Sequence, residues 1–121
     1  MKLRTKQEIE KAVKETIAQF LETQLGDRLE EVVAQIEDDA IIVKFKDMLP
    51  PAEKRLIRHN EGTQLIKELK EKLIEKVKPN LKAAVENLIG VEITDIHSIF
   101  NETTDEVVVI LTLKNALELA K

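Results

Sequence analysis

Two histidines, His59 and His97, a single serine, Ser98, and no cysteine set the chemistry open to this chain. Without cysteine there is no thiol nucleophile, no thiolate zinc site and no disulfide framework. Imidazole and carboxylate together suit zinc, so His59 and His97 with Glu61 or Asp95 form the one conceivable metal set. No i,i+4 spacing or third local ligand supports it, and solvated histidines are the ordinary reading. Ser98 follows His97 directly, on what reads as a strand. Strand neighbours point to opposite faces, so the two cannot serve as nucleophile and base. The acidic groups Glu30-Glu31, Glu37-Asp38-Asp39 and Asp105-Glu106 fall at turns and strand edges. Glycosidase chemistry needs two carboxylates facing each other across a cleft, with separated pKa values. Asp38-Asp39 lacks the spaced oxygen ligands and the glycine of a calcium loop. The three glycines are scattered and cradle no phosphate. The expectation is a non-enzymatic protein with no catalytic residue, metal or cofactor.

What remains is a contact surface. The stretch Leu49-Pro50-Pro51-Ala52-Glu53-Lys54 contains no core residues of its own beyond Leu49, and a basic cluster of Lys54, Arg55, Arg58 and His59 follows. We read Pro51, Glu53, Lys54, Arg55 and Arg58 as the candidate partner surface. An acidic protein segment or an anionic lipid surface is the complementary chemistry.

Composition narrows the classes further. The 121 residues make one domain, 1–121, long enough to bury a single core. A 43% hydrophobic and 35% charged chain is globular rather than disordered. The net charge of -4 argues against a phosphate-binding surface, and three phenylalanines are too few to stack single-stranded bases. Nucleic acid is therefore not an expected partner. Glu8 and Glu10 stand where a signal peptide needs an apolar run, and the longest aliphatic run, Val107 to Leu111, is far too short to span a bilayer. A cytoplasmic location is expected.

The elements that must position these residues are legible from periodicity. Ile9, Val13, Ile17, Phe20, Leu21 and Leu25 recur at helical spacing. Thr5 with Glu8 three residues later forms a capping box, and Gly26 supplies the stop. From Leu29 to Ile36 the period becomes two, with Val32, Ala34 and Ile36 on one face. Asp38-Asp39 reads as a turn before Ile41, Val43 and Phe45, which completes a hairpin. Pro50-Pro51 ends that strand, and Pro51 opens a short helix running to about Arg58. Asn60 or Thr63 caps the next helix, whose stripe is Leu65, Ile66, Leu69, Leu73 and Val77, continued by Leu81, Ala84, Val85 and Leu88. Pro79 predicts a kink or break within it. Val91–Phe100 and Asp105–Leu113 form a second hairpin, and the tail from Lys114 reads as weakly helical.

A shift of 64 residues superposes Ile17 on Leu81, Leu21 on Val85, Glu22 on Glu86, Gly26 on Gly90 and Ile36 on Phe100. Beyond the turn the shift becomes 66, pairing Ile41 with Val107, Val43 with Val109 and Phe45 with Leu111. The chain thus reads as helix–hairpin twice. The fold class expected is α+β: an antiparallel four-stranded sheet of two β-hairpins with helices packed on one face. In the last strand Val107, Val109 and Leu111 line one face while Val108 and Ile110 occupy the other. A strand apolar on both faces is central or lies at an interface, so self-association or a protein partner is expected on the uncovered face.

With these segments placed, the chain resembles the MpsC-like family of small bacterial domains, named for a sodium-translocating, membrane-potential-generating system. The residues carrying the resemblance are Leu25-Gly26, Ile41-Ile42-Val43, Leu49, Pro51-Ala52-Glu53-Lys54, Glu61-Gly62, Leu88-Ile89-Gly90-Val91 and His97, within about Phe20 to Leu113. Gly26-Asp27-Arg28-Leu29 departs from the family's Gly-Arg-Gly-like stretch, and Ser98-Ile99 from its Thr-Asp. The resemblance implies an accessory interaction role beside a membrane ion- or bicarbonate-transport system and supplies no catalytic residue. A small-anion or metabolite-sensing protein using Lys54, Arg55 and Arg58 is the competing expectation.

Overall fold

The computed structural model describes residues 4–26, 28–48, 53, 55, 60–101 and 104–120. Among them the order is α1 (Lys6–Leu25), β1 (Arg28–Glu37), β2 (Ala40–Met48), α2 (Asn60–Ile89), β3 (Ile93–Asn101) and β4 (Glu106–Leu113). The strands form one antiparallel sheet in the order β1-β2-β4-β3. Both helices lie on one face of it, as the α+β pattern requires.

Helix α1 begins as its sequence dictates. The Thr5 hydroxyl accepts from the Glu8 amide at 3.1 Å, and the Glu8 carboxylate accepts from the Thr5 amide at 3.0 Å. This reciprocal bonding satisfies two donors that the first helical turn leaves without partners. The Thr5 amide holds the Glu8 carboxyl below its ordinary value, aided by the Thr5 hydroxyl. Gly26 ends the helix at φ 73°, a left-handed conformation that costs a residue with a Cβ about 1 kcal/mol or more. The buried face is Ile9, Val13, Ile17 and Leu21.

Opposite it lie Ile41, Val43 and Phe45 of β2 and Val107, Val109, Leu111 and Leu113 of β4, each at most 2% exposed. Removing such side chains from water stabilises the fold by about 1.5–3 kcal/mol apiece. Strand β1 carries a bulge at Glu31, which has a φ of 54° and interrupts the register between Glu30 and Val33. The bulge turns Val33 outward while Ala34 and Ile36 stay in the core. Glu10 of α1 accepts from the Ile36 amide at 2.8 Å, occupying one donor along the outer edge of β1.

Several expectations are corrected. Pro79 neither ends nor divides α2, which is assigned as one helix of 30 residues. Its ring is exposed, and Ile74, Val77, Leu81 and Val85 on either side are anchored in one core. Tertiary packing thus outweighs the one hydrogen bond that the proline removes. The apolar stripe of α2 is also rotated from the expected one. Ile66, Lys70, Ile74, Val77, Leu81, Val85 and Ile89 are buried, whereas Leu65 and Leu69 are 59% and 44% exposed. The tail is not helical. Its Leu117 and Leu119 pack on the core at strand-like spacing, and Ala120 donates to the Arg4 carbonyl at 2.8 Å in a parallel bridge beside Thr5. The short helix expected from Pro51 to Arg58 lies outside the described residues, except that Glu53 and Arg55 are helical.

The two helix–hairpin halves match in detail. Gly26 and Gly90 have φ of 73° and 72°, and their amides donate to Glu22 and Glu86 carbonyls at 3.0 and 2.8 Å. The side chains of those two glutamates then accept from the next strand: Glu22 from the Leu29 amide at 3.3 Å, Glu86 from the Ile93 amide at 2.7 Å. Each carboxylate thereby fixes the angle between its helix and the strand that follows. Asp38 and Asp105 take left-handed conformations at the two hairpin turns. Val43 pairs with Val109, Ile41 with Leu111 and Phe45 with Val107. The 66-residue shift exchanges these partners, so an approximate twofold axis passes through the sheet between Val43 and Val109.

Candidate interaction surfaces

The expected contact segment is only partly on display. Pro51, Lys54, Arg58 and His59 lie outside the described residues. Arg55 is exposed. Glu53 turns inward: its carboxylate lies 3.4 Å from the Lys70 ammonium, with side-chain exposures of 20% and 3%. A charged nitrogen that deep requires compensation. Glu53 therefore has a structural task, tying the chain ahead of α2 onto that helix. Lys70 was the missed residue here. Its signal was present as a lysine spaced four residues from both Ile66 and Ile74 in a buried stripe.

His97 is exposed on β3, with Asp95 on the same face, and Ser98 points to the other side of the sheet. Among the described residues, no three histidine, aspartate or glutamate side chains converge as a metal site. A groove of about 440 Å³ runs between α2 and β3, lined by Glu75, Lys78, Pro79, Lys82, Thr94 and Asp95. Lys78 is ion-paired with Glu75 within it. The groove holds charges of both signs and no nucleophile beside a base.

Two surfaces stand out instead. The first is the sheet face turned away from the helices. Cross-strand register arranges it in rows running β1-β2-β4-β3. One row is Gln35, Ile42, Ile110 and His97; the next is Val33, Lys44, Val108 and Ile99. Val33 and Ile99 are 47% and 50% exposed, and Ile42, Val108 and Ile110 are half-buried by their strand neighbours alone. Strand β4, apolar on both faces, is central in the sheet, and its second apolar face belongs to this patch.

The second surface is the first part of α2. Lys70 is equivalent to Lys6 under the 64-residue shift, so residues 60–69 have no counterpart in α1. This extension presents Leu65 and Leu69 on one exposed side, one turn apart. Side chains there cover no described part of the sheet core, whose α2 members begin at Ile74. The two leucines make a small exposed apolar pair on this side of the helix.

Comparison with known proteins fits this architecture. Residues 5–115 match the sequence profile of the MpsC family, described as a Na+-translocating membrane potential-generating system. The match extends over all of α1, well beyond the segment on which the resemblance was first read. The chain is also 30% identical over 115 residues to the uncharacterized protein YbcI of Bacillus subtilis strain 168, covering 95% of this chain and 93% of YbcI. No solved structure is significantly similar to it.

Proposed function

The chain belongs to the MpsC family, and from that premise we propose that it is a non-enzymatic, cytoplasmic accessory domain that docks on a Na+-translocating membrane system and self-associates. The family match over residues 5–115 carries this reading. No described helix is long and apolar enough to cross a membrane, and the attachment proposed is a protein contact. The extension of α2, with Leu65 and Leu69 exposed and Arg55 nearby in sequence, is the docking surface for the membrane component. Helix-in-groove recognition uses apolar anchors at this i,i+4 spacing.

The test is the Na+-dependent membrane potential, read with a potential-sensitive dye in cells lacking the protein and in complemented cells. Loss of the potential without the protein, and failure of Leu65→Glu/Leu69→Glu to restore it at normal abundance, are the expected results. An unchanged potential in the deletion strain would remove the reading.

A further inference from the structure

We propose that the open face of the sheet is the surface through which two copies of this chain associate, face to face, about a twofold axis parallel to β2 and β4. This deepens the self-association in the proposed role and names the partner of one surface as a second copy. Size is the first argument. Four strands spaced about 4.8 Å apart and about eight residues long at roughly 3.4 Å each make a face of about 500 Å². Two such faces remove roughly 1,000 Å² from water, at the threshold of a specific interface. A weak, concentration-dependent dimer follows.

Charge placement is the second argument. The axis lies between β2 and β4, so each β2 faces the other copy's β4 and each β1 the other copy's β3. Rows stay at the same height. Ile42 meets Ile110, Val33 meets Ile99, and the aliphatic stem of Lys44 lies over Val108 with its ammonium reaching the rim. In the next row, Glu30-Lys46-Glu106-Asn101, Lys46 meets Glu106. The twofold operation makes this ion pair twice. Within one copy Lys46 stands across from Glu106 in the register, but its ammonium reaches Glu31 at 3.3 Å across an exposed surface. Glu37 and Asp95 are the like charges brought together, at the outer corners, where the twist of stacked sheets carries strands apart. Turning the axis perpendicular to the strands instead sets Glu30 over Glu37 and leaves Lys46 over Ala40, with no ion pair gained.

Sedimentation equilibrium on the purified full chain tests the proposal without reference to any membrane system. The wild type is expected to shift from the 13.8 kDa chain mass toward twice that mass as concentration rises. Lys46→Glu and Glu106→Lys each place like charges together twice, and each is expected to weaken the dimer at least about tenfold. Mixing the two variants restores opposite charges at both contacts, so a mixed dimer of near wild-type affinity is expected. Ile99→Glu, at a half-exposed position that the monomer does not need, is expected to abolish association with an unchanged circular dichroism spectrum. A wild type that stays monomeric at several hundred micromolar overturns the proposal. So does a dimer that survives Ile99→Glu, or a failure of the mixed variants to associate.

Discussion

The first half of the molecule, α1-β1-β2, and the second, α2-β3-β4, solve the same folding problem with the same devices, and then diverge at one end. Both end the helix on a left-handed glycine and tie it to the next strand with a glutamate carboxylate. Each contributes a two-stranded hairpin whose second strand lies at the sheet centre. They differ where the helices begin. Helix α1 starts at once with a self-contained capping box, whereas α2 runs on for a further ten residues before reaching the equivalent point. The shared parts are those the core needs. The unshared extension, with its exposed leucines, adds nothing to the described sheet core.

The comparison can be broken by paired substitutions. Ile17→Ala and Leu81→Ala occupy equivalent, fully buried positions. Each is expected to cost about 3 kcal/mol in denaturant unfolding, with a single transition in both cases. Unequal costs or a biphasic curve would mean that the halves do not share one core. Next in size is the element without a twin. Glu53→Ala removes one carboxylate from beside the buried Lys70 ammonium and is expected to lower stability by about 1 kcal/mol. Lys6→Ala, at the exposed position equivalent to Lys70, should change thermal stability little.

Finer probes address the joints. Gly26→Ala and Gly90→Ala should each cost about 1 kcal/mol, because a Cβ meets no atom within 4 Å at either site and only backbone strain remains. The glutamate anchors should rank by geometry: Glu86→Ala, which deletes the 2.7 Å bond, is expected to lose more than Glu22→Ala, which deletes the 3.3 Å bond. Equal melting-temperature losses would show that the length of the bond to the strand amide does not set the strength of the anchor. The smallest effect belongs to the capping box. The folded-state pKa of Glu8 is depressed, so its contribution is complete above the ordinary glutamate value of 4.5 and fades as pH falls through the folded value. Glu8→Gln should remove that dependence, whereas Thr5→Ala, which keeps the backbone amide, should only weaken it while costing about 1 kcal/mol near neutral pH through the lost cap, measured as melting temperature against pH.

The architecture was legible in the sequence wherever periodicity and punctuation agreed. Thr5, Glu8 and Gly26 bracket α1 because capping is a local interaction, readable from neighbours. The repeat shift was visible because equivalent positions fill the same core and so keep the same side-chain class. Pro79 does not break α2, because its local penalty is outweighed by the packing on both sides of it. Leu65 and Leu69 were assigned to the wrong face because apolar character alone does not tell a core stripe from a contact stripe. The inward turn of Glu53 was hidden because its partner, Lys70, is distant in sequence and of a type seldom buried. The candidate surfaces were thus harder to read than the fold. Their defining property is what they fail to touch.

The strand order also dictates how the chain must assemble. The turns at Asp38 and Asp105 close their hairpins locally, which takes roughly microseconds in isolated hairpins. The seam between β2 and β4 joins residues such as Ile42 and Ile110, separated by most of the polypeptide. Contacts of such long sequence separation slow folding, since loop-closure entropy is lost before the seam's packing is gained. Substitutions at Val43 and Val109 should therefore act chiefly on the unfolding rate, and those at Ile17 or Leu21 on the folding rate. The centre of the sheet is therefore expected to form last, which those rate measurements check.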